Sequence, residues 1–418
     1  VYVTDASRAV GVCSNLLSST LHDEYAASIK SDYAAAREQH EGRKGKAVYV
    51  TLEEARARGV KTNWAMQMPS NIPLHREGHG HREGHGHREG RVQREEPGLP
   101  LDKGGLRGIY VPPKPFLLGV HRFEAYPLGK IAEYIDWTPF FHAWELSGRY
   151  PNILQDEAMG EEARKLFADA QAMLKKIIKE KWLTANAVFG LFPANAVNND
   201  DIEIYTGESR SRVAMTWHNL RQQSKKPADI PNYCLADFIA PRETGVADYI
   251  GAFAVTAGIA IDASVAEFEK QNDDYNAIML KSLADRLAEA FTEHLHQRVR
   301  REFWGYAADE TLDNDALIRE EYRGIRPAPG YPACPDHTEK GDLFRLLDAP
   351  KVGITLTESY AMWPAAAVSG FYFSHPESQY FAVGKIGRDQ AEDYARRKGL
   401  SLAATEKWLA PVLNYEPV

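Results

Sequence analysis

The chain has 418 residues, of which 44% are hydrophobic and 26% are charged, and its formal net charge is −8. This composition is typical of a globular protein with a substantial core, and it lacks the basic excess that non-specific nucleic-acid binding requires. Three widely spaced cysteines without a CxxC pair argue against a disulfide framework or a cysteine zinc site and favour a reducing cytoplasm. No apolar run approaches the roughly 20 residues of a membrane-spanning helix, and no signal-peptide pattern opens the chain, so we expect no membrane partner.

The first part of the chain is predicted to hold short elements that precede the main domain. Residues 1–4 have the pattern of a buried strand, and a small-residue helix follows through residue 17. Residues 19–45 are charged and helix-forming, which is typical of a solvated connecting helix. Thr51 and Glu54 have the spacing of a capping box, so we expect a short helix to begin there.

A polar repeat interrupts this region at residues 75–90. His-Arg-Glu-Gly-His-Gly occurs twice and His-Arg-Glu-Gly follows, which supplies five histidines and no apolar residue. Because such a segment has no apolar surface to bury, we interpret it as an expanded repeat in a tolerant surface loop. A metal-binding protein built around these histidines is the competing interpretation, and weak metal binding is compatible with both.

From about residue 116 the pattern becomes that of a mixed domain of helices and strands. Apolar and alternating runs predict strands at residues 188–195, 201–205, 236–241, 249–256, 356–362 and 368–373. Helical periodicity predicts helices at residues 157–182, 262–302, 388–398 and 403–409. The long separations between strand candidates favour an α+β fold over a regular βαβ alternation. The common dinucleotide, nucleotide, hydrolase and zincin motifs are absent from the sequence.

Residues 326–340 form the most informative loop, with four prolines and one glycine between charged and aromatic residues. Each proline restricts φ and removes an N–H donor, so the segment is predicted to be rigid and extended. Such a loop can hold a ligand between the cation of Arg326 and the ring of Tyr331, with Gly330 permitting close backbone approach. A rigid structural connector explains the same pattern equally well.

Other side chains could complete a site for an amino-acid-like ligand that carries an adenine and a sulfonium. Its carboxylate calls for an arginine fork, its positive groups for carboxylates, and its base for an aromatic surface. Further candidates of these types are Asp136, which lies in an aromatic cluster, Glu289, Glu320 and Tyr380. Taken singly, a helical glutamate such as Glu289 is more often a surface residue, and Tyr380 is more often a packing residue.

The loop at 326–340, Arg-Pro-Ala-Pro-Gly-Tyr-Pro-Ala-Cys-Pro-Asp-His-Thr-Glu-Lys, closely resembles the signature loop of the C-terminal activation domain of cobalamin-dependent methionine synthase. Further segments agree with that family in the same order, at residues 134–141, 190–195, 232–238, 248–255 and 373–376. Residues 1–18 resemble the last strand and helix of the family's cobalamin-binding domain. The family's cobalamin-ligating histidine motif and its homocysteine, zinc and folate modules are not in this sequence.

The resemblance implies a fold and a division of the chain. The fold is α+β, with a mixed, largely antiparallel twisted sheet flanked by helices. Residues 1–18 are then the tail of a cobalamin-binding domain, and residues 19–115 are a linker that contains the insert at 75–90. Residues 116–418 form the activation domain that binds S-adenosylmethionine.

The resemblance also implies a function, as part of a methyltransferase that makes methionine. The domain binds S-adenosylmethionine as methyl donor for the reductive methylation of cob(II)alamin, which a separate domain holds, while a flavodoxin-type protein donates an electron. The ligand-binding residues that it implies are Asp136, Glu289, Glu320, Arg326, Ala328, Gly330, Tyr331 and Tyr380. Arg326 would bind the methionyl carboxylate, the three acids the ammonium and sulfonium, and Tyr380 the methyl-facing side, with the remaining residues around the adenosine.

None of these residues is predicted to be catalytic, no metal ligand is predicted, and the fragment alone is not expected to make methionine. An alternative from another class is a stand-alone sensor that binds S-adenosylmethionine without catalysis.

Overall fold

A computed structural model describes residues 12, 16, 22–44, 48–64 and 110–417. The strand predicted at residues 1–4 and the repeat at residues 75–90 lie outside these ranges. Within them, no helix has the length and apolar character that crossing a bilayer requires.

An antiparallel sheet organises the fold. The strands are β1 (Gly119–Tyr126), β2 (Thr184–Val197), β3 (Asp201–Tyr205), β4 (Val213–His218), β5 (Asp248–Ile259), β6 (Thr355–Leu356), β7 (Met362–Trp363) and β8 (Ala367–Tyr372). Six of them form one sheet in the order β4-β3-β2-β5-β8, and β1 pairs with the first half of β2 on the edge that β3 occupies further along. Strands β6 and β7 form a separate hairpin. Every pairing between these strands is antiparallel, which confirms the predicted fold class.

Both faces of the sheet are buried, which explains why the central strands are apolar almost throughout. Phe189 of β2 and Phe253 of β5 pack on one face, and their neighbours Val188 and Ala254 pack on the other. Successive side chains of a strand point to opposite faces, so a strand covered on both sides has no polar alternation. The strands predicted at 188–195, 201–205, 249–256 and 368–373 are confirmed.

The residues that the structure describes also form α-helices. They are α1 (His22–Lys44), α2 (Leu52–Ala57), α3 (Leu128–Ala132), α4 (Thr138–Ala143), α5 (Gly160–Glu180), α6 (Ile261–Lys270), α7 (Asp274–Arg298), α8 (Asn314–Ile318), α9 (Glu339–Leu347), α10 (Arg388–Lys398) and α11 (Leu402–Leu409). Helices α5 and α7 contribute their apolar sides to the core on the first face, and α9 contributes to the core on the second. Helix α7 continues into a π-helical turn at Val299–Phe303.

Two predicted strands are wrong. Residues 236–241 instead include a short 3-10 helix, Leu235–Phe238, because the carboxylate of Asp237 accepts a hydrogen bond from the Cys234 amide at 3.0 Å and closes the turn. The run at 356–362 folds back on itself as the β6–β7 hairpin. The Thr357 amide donates to the Ala361 carbonyl at 2.8 Å, which ends the extended run.

Part of the predicted linker packs on the main domain. The Val50 amide donates to the Gln223 carbonyl at 2.9 Å, and the Lys225 amide donates to the Val48 carbonyl at 2.8 Å. The capping box that the sequence predicts at Thr51 is present at the start of α2. These contacts join residues 48–64 to the body of the fold, while the division into domains stays a prediction.

Candidate functional site

A cavity of about 490 Å³ lies between the sheet, helix α7 and the proline-rich loop. Its lining residues are Phe253, Glu289, Thr292, Glu320, Arg326, Pro327, Ala328, Tyr331, Pro332, Ala333, Val368, Tyr380 and Phe381. Cavities of this size, with an apolar wall and a few convergent polar groups, are the usual sites of small-molecule binding. The lining includes Phe253 from the core on the first face of the sheet and Ala333 from the core on the second face.

The proline-rich loop is held by backbone hydrogen bonds from two neighbouring segments. The Pro327 carbonyl accepts from the Phe371 amide of β8 at 2.9 Å, and the Pro332 carbonyl accepts from the Val383 amide at 2.8 Å. Within the loop, the Gly330 amide donates to the Cys334 carbonyl at 2.7 Å. The loop contains tight turns and is bonded to its neighbours, and it also forms a wall of the cavity, which the interpretation as a plain connector does not explain.

Gly330 occupies a position that other residues cannot easily take. Its φ of +97° lies in the region that favours glycine, and a Cβ at this position would lie 2.3 Å from Cε1 of His337. The ring of His337 therefore packs directly against the turn that carries Ala328 and Tyr331. Gly330 itself is not among the lining residues, and its role is to shape the turn beside them.

Arg326 lines the cavity, and three neighbouring side chains bind its guanidinium. Nη2 lies 2.7 Å from Oε2 of Glu293, and Nη1 donates to the Tyr322 hydroxyl at 2.6 Å and to Nδ1 of His296 at 3.2 Å. Burial, together with the charges of two nearby arginines, lowers the pKa of His296, so this ring is neutral and can accept the bond. Among the residues that the structure describes, none accepts a hydrogen bond from Nε of Arg326. That edge of the fork can serve a ligand.

Two carboxylates share the cavity with Arg326. Burial raises the pKa of Glu289 and of Glu320, and the nearby charge of Arg326 offsets part of the rise in each. Glu320 has a φ of +57° because it directly follows the end of helix α8, where its amide donates to the Leu317 carbonyl at 2.9 Å. Among the lining residues that the structure describes, Arg326 is the only cation, so the site combines one cation with two acids.

Aromatic side chains form the mouth and one wall of the cavity. The rings of Tyr331 and Tyr380 are 60% and 39% exposed, so a flat ligand can reach their faces. The Tyr380 hydroxyl accepts a hydrogen bond from the Arg326 amide at 3.0 Å, which ties the mouth to the loop. Phe253 and Phe381 line the cavity further along.

The structure brings six of the eight residues predicted for the ligand into this lining, namely Glu289, Glu320, Arg326, Ala328, Tyr331 and Tyr380. Asp136 is not among the lining residues. Its Oδ1 accepts a hydrogen bond from the Thr138 amide at 2.9 Å, which supplies the partner that an acid in an aromatic cluster needs. Asp136 lies between helices α3 and α4, both of which pack against α7, the helix that carries Glu289.

Sequence reasoning missed several residues of the site. Thr292 and Glu293 follow Glu289 by one turn of α7, a spacing that could have marked them as neighbours. Phe253 and Val368 lie on strands β5 and β8, where their apolar side chains in the sequence indicate core packing and not ligand binding. Within the described ranges, no group of three or more His, Cys, Asp or Glu side chains could hold a metal ion.

A model of the vitamin B12-dependent methionine synthase activation domain matches residues 127–399. The chain belongs to this family. The match contains all eight residues predicted for the ligand, and membership implies that the activation domain is part of a methyltransferase and works with a cobalamin-binding domain.

A solved structure agrees with this family. The crystal structure of the MetH reactivation domain bound to AdoHcy is 51% identical to this chain, with a TM-score of 0.76. The similarity covers 88% of this chain and 99% of that one. The fold of this activation domain is therefore that of the reactivation domain.

Proposed function

We propose that the cavity binds S-adenosylmethionine and presents its methyl group to cobalamin held by a separate domain. The observation that carries the proposal is the pairing of one anchored guanidinium, Arg326, with two carboxylates, Glu289 and Glu320, in a single cavity of about 490 Å³. S-adenosylmethionine has one carboxylate and two positive groups, which is the complementary set of charges. The AdoHcy in the similar reactivation domain supports the same ligand class.

The amino-acid end of the ligand is assigned to Arg326 and the acids. Arg326 takes the carboxylate, because its fork is fixed and can form two parallel hydrogen bonds. Glu289 and Glu320 face the ammonium and the sulfonium. Asp136 stays a proposed third acid, and its position outside the lining makes it the least supported of the three.

The adenosine end is assigned to the loop and the mouth of the cavity. Ala328 offers backbone groups at the lining, Gly330 offers its carbonyl because its amide is bonded to Cys334, and the exposed ring of Tyr331 offers a stacking surface. Tyr380 lines the side on which the methyl group leaves. In this arrangement no residue has to move a proton, since the domain acts by holding the donor in place.

In our proposal the methyl group would pass to reduced cobalamin with release of S-adenosylhomocysteine, and the electron for the reduction would come from a flavodoxin-type protein. The division of the chain belongs to the same proposal. Residues 1–18 are the tail of the cobalamin-binding domain, 19–115 the linker and 116–418 the activation domain. The packing of residues 48–64 on the body supports a linker that is anchored to the activation domain near the middle of its length.

Methylcobalamin formation tests this function. The chain is mixed with a cobalamin-binding domain, reduced flavodoxin and S-adenosylmethionine, and the absorption spectrum of the cobalamin is followed. We expect methylcobalamin with the parent chain and a large loss with Arg326→Ala. Binding of S-adenosylmethionine without methylcobalamin would favour the sensor, and no binding would refute both functions.

A further inference from the structure

A buried lysine outside the cavity contacts the far end of the proline-rich loop. Nζ of Lys398, at the end of α10, lies 2.5 Å from Oδ2 of Asp336 and 2.5 Å from the hydroxyl of Thr338. It also lies 2.6 Å from Oε1 of Glu339. The Lys398 side chain is 10% exposed and the two carboxylates are 3% and 0% exposed, so this ion pair is shielded from solvent.

The neighbouring Tyr394 reinforces the same contact. Its hydroxyl lies 2.8 Å from Oδ2 of Asp336 and 3.1 Å from Oε1 of Glu339. Burial raises the pKa of Asp336 by itself, but Lys398 and the hydrogen bonds outweigh it and hold that pKa below its usual value. Asp336 is therefore ionised and fixed by donors from α10 and from the Thr338 amide at 2.8 Å.

A short route of contacts leads from Asp336 to the cavity. His337 follows Asp336 directly, and its ring packs against Gly330, where an added Cβ would lie 2.3 Å from Cε1. Gly330 precedes Tyr331, which lines the cavity. Fixing Asp336 therefore restrains the backbone that carries His337, whose ring Nδ1 lies 2.8 Å from Nζ of Lys340.

We propose that Lys398, with Tyr394, is a positioning residue for the ligand loop, acting through Asp336 and His337 on the turn at Gly330. Lys398 is not among the residues that line the cavity, so its effect on binding is indirect. The expected change in ligand affinity rests on the proposed function. The expected change in the order of the loop does not, because amide hydrogen exchange measures it without a ligand.

The adjacent Arg397 provides a matched control. It is a second buried cation on α10, 3% exposed, and Nε lies 2.8 Å from Oδ2 of Asp393. It also pairs with Asp201 and donates to the Asn219 carbonyl at 3.0 Å, and none of these partners belongs to the loop. Removal of Lys398 takes away the cation that Asp336 and Glu339 share, whereas removal of Arg397 leaves Asp393 paired with Arg56 and Asp201 in contact with His218. Both variants lose stability, because each loses a buried cation that contacts carboxylates. Only loss of Lys398 should disturb the loop.

The test compares Lys398→Met and Arg397→Met by titration with S-adenosylhomocysteine. We expect Lys398→Met to weaken binding by about ten-fold or more and Arg397→Met by less than about three-fold. Equal losses in the two variants, or unchanged binding by Lys398→Met, would overturn the proposal. If Lys398→Met does not fold, Tyr394→Phe decides, because it removes one hydroxyl and keeps the ring: weaker binding supports the proposal and unchanged binding overturns it.

Amide hydrogen exchange separates this inference from the proposed function. The Gly330 and Cys334 amides donate to loop carbonyls at 2.7 Å and 2.9 Å, so their exchange rates report the order of the loop. Lys398→Met should speed their exchange relative to Arg397→Met even without a ligand. If the parent chain binds no S-adenosylhomocysteine, the proposed function fails, and equal exchange rates in the two variants would overturn the role of Lys398.

Discussion

Replacement of Arg221 by Met should destabilise the domain strongly. Arg221 is buried, and all five of its N–H donors are used. Nε donates to Asp200 at 2.8 Å, Nη1 to Asp237 and to the Asn232 carbonyl at 2.8 Å each, and Nη2 to Asp237 at 2.7 Å and to the Asn199 carbonyl at 3.1 Å. Methionine fills much of the same space but can satisfy none of these acceptors.

The size of the loss follows from what is left behind. Asp200 is fully buried and Asp237 nearly so, and breaking a buried pair by removing one partner costs about 3–5 kcal/mol. Asp200 keeps its contact with Arg56 at 2.7 Å, which places the expected loss for Arg221→Met toward the lower end, about 3 kcal/mol. Urea unfolding followed by circular dichroism measures the change in the free energy of unfolding.

Two comparisons make the result decisive. Arg242 is 61% exposed and pairs with Glu203, so Arg242→Met should cost less than about 1 kcal/mol. Burial raises the pKa of Asp237 and Arg221 lowers it, so without Arg221 that pKa rises further. A group whose folded pKa is raised adds stability at low pH and loses it as the pH rises, so the deficit of Arg221→Met should shrink on acidification. A loss no larger than that of Arg242→Met would refute this account of the buried network.

Three further predictions concern the site and the insert. Burial raises the pKa of Glu289 and Glu320, so affinity for S-adenosylmethionine should fall as the pH drops and these carboxylates become protonated. Calorimetric titrations at several pH values measure this change, and Glu289→Gln should make the affinity less dependent on pH. Gly330→Ala should cost about 1–3 kcal/mol in urea unfolding, and more than Gly384→Ala, which shares a positive φ but has open space around it. Deletion of residues 75–90 should leave S-adenosylmethionine affinity nearly unchanged by calorimetry, and a large loss would contradict our interpretation of the insert.

Local patterns predicted those elements whose causes are local. The capping box depends only on Thr51 and Glu54, which are three residues apart in the sequence. The strands β2 and β5 are recognisable as long apolar runs. The apolar run at 236–241 predicts a strand, but Asp237 closes a turn there and pairs with Arg221, 16 residues earlier in the chain, at 2.7 Å. That contact depends on tertiary structure and leaves no mark in the local sequence.

The site shows the same division between local and tertiary causes. The chemistry of the residue types points to Arg326 and Glu289 as candidates, the resemblance to a family gives them their roles, and the four prolines predict a rigid loop. Glu293 carried no such signal, because a buried glutamate on a helix looks like any other until the arginine that it contacts is known. Helical periodicity likewise places Lys398 in a terminal helix and gives no sign that its ammonium contacts two carboxylates of the loop region.

Calorimetric titration with two adenosine thioethers tests the central claim most directly. S-adenosylhomocysteine carries the amino-acid end, and 5′-deoxy-5′-methylthioadenosine lacks it. The account predicts that the parent chain binds S-adenosylhomocysteine about 10- to 100-fold more tightly, and that Arg326→Ala removes this preference by weakening S-adenosylhomocysteine alone. Failure of the parent chain to bind S-adenosylhomocysteine, or an Arg326→Ala variant that keeps the full preference, would contradict it.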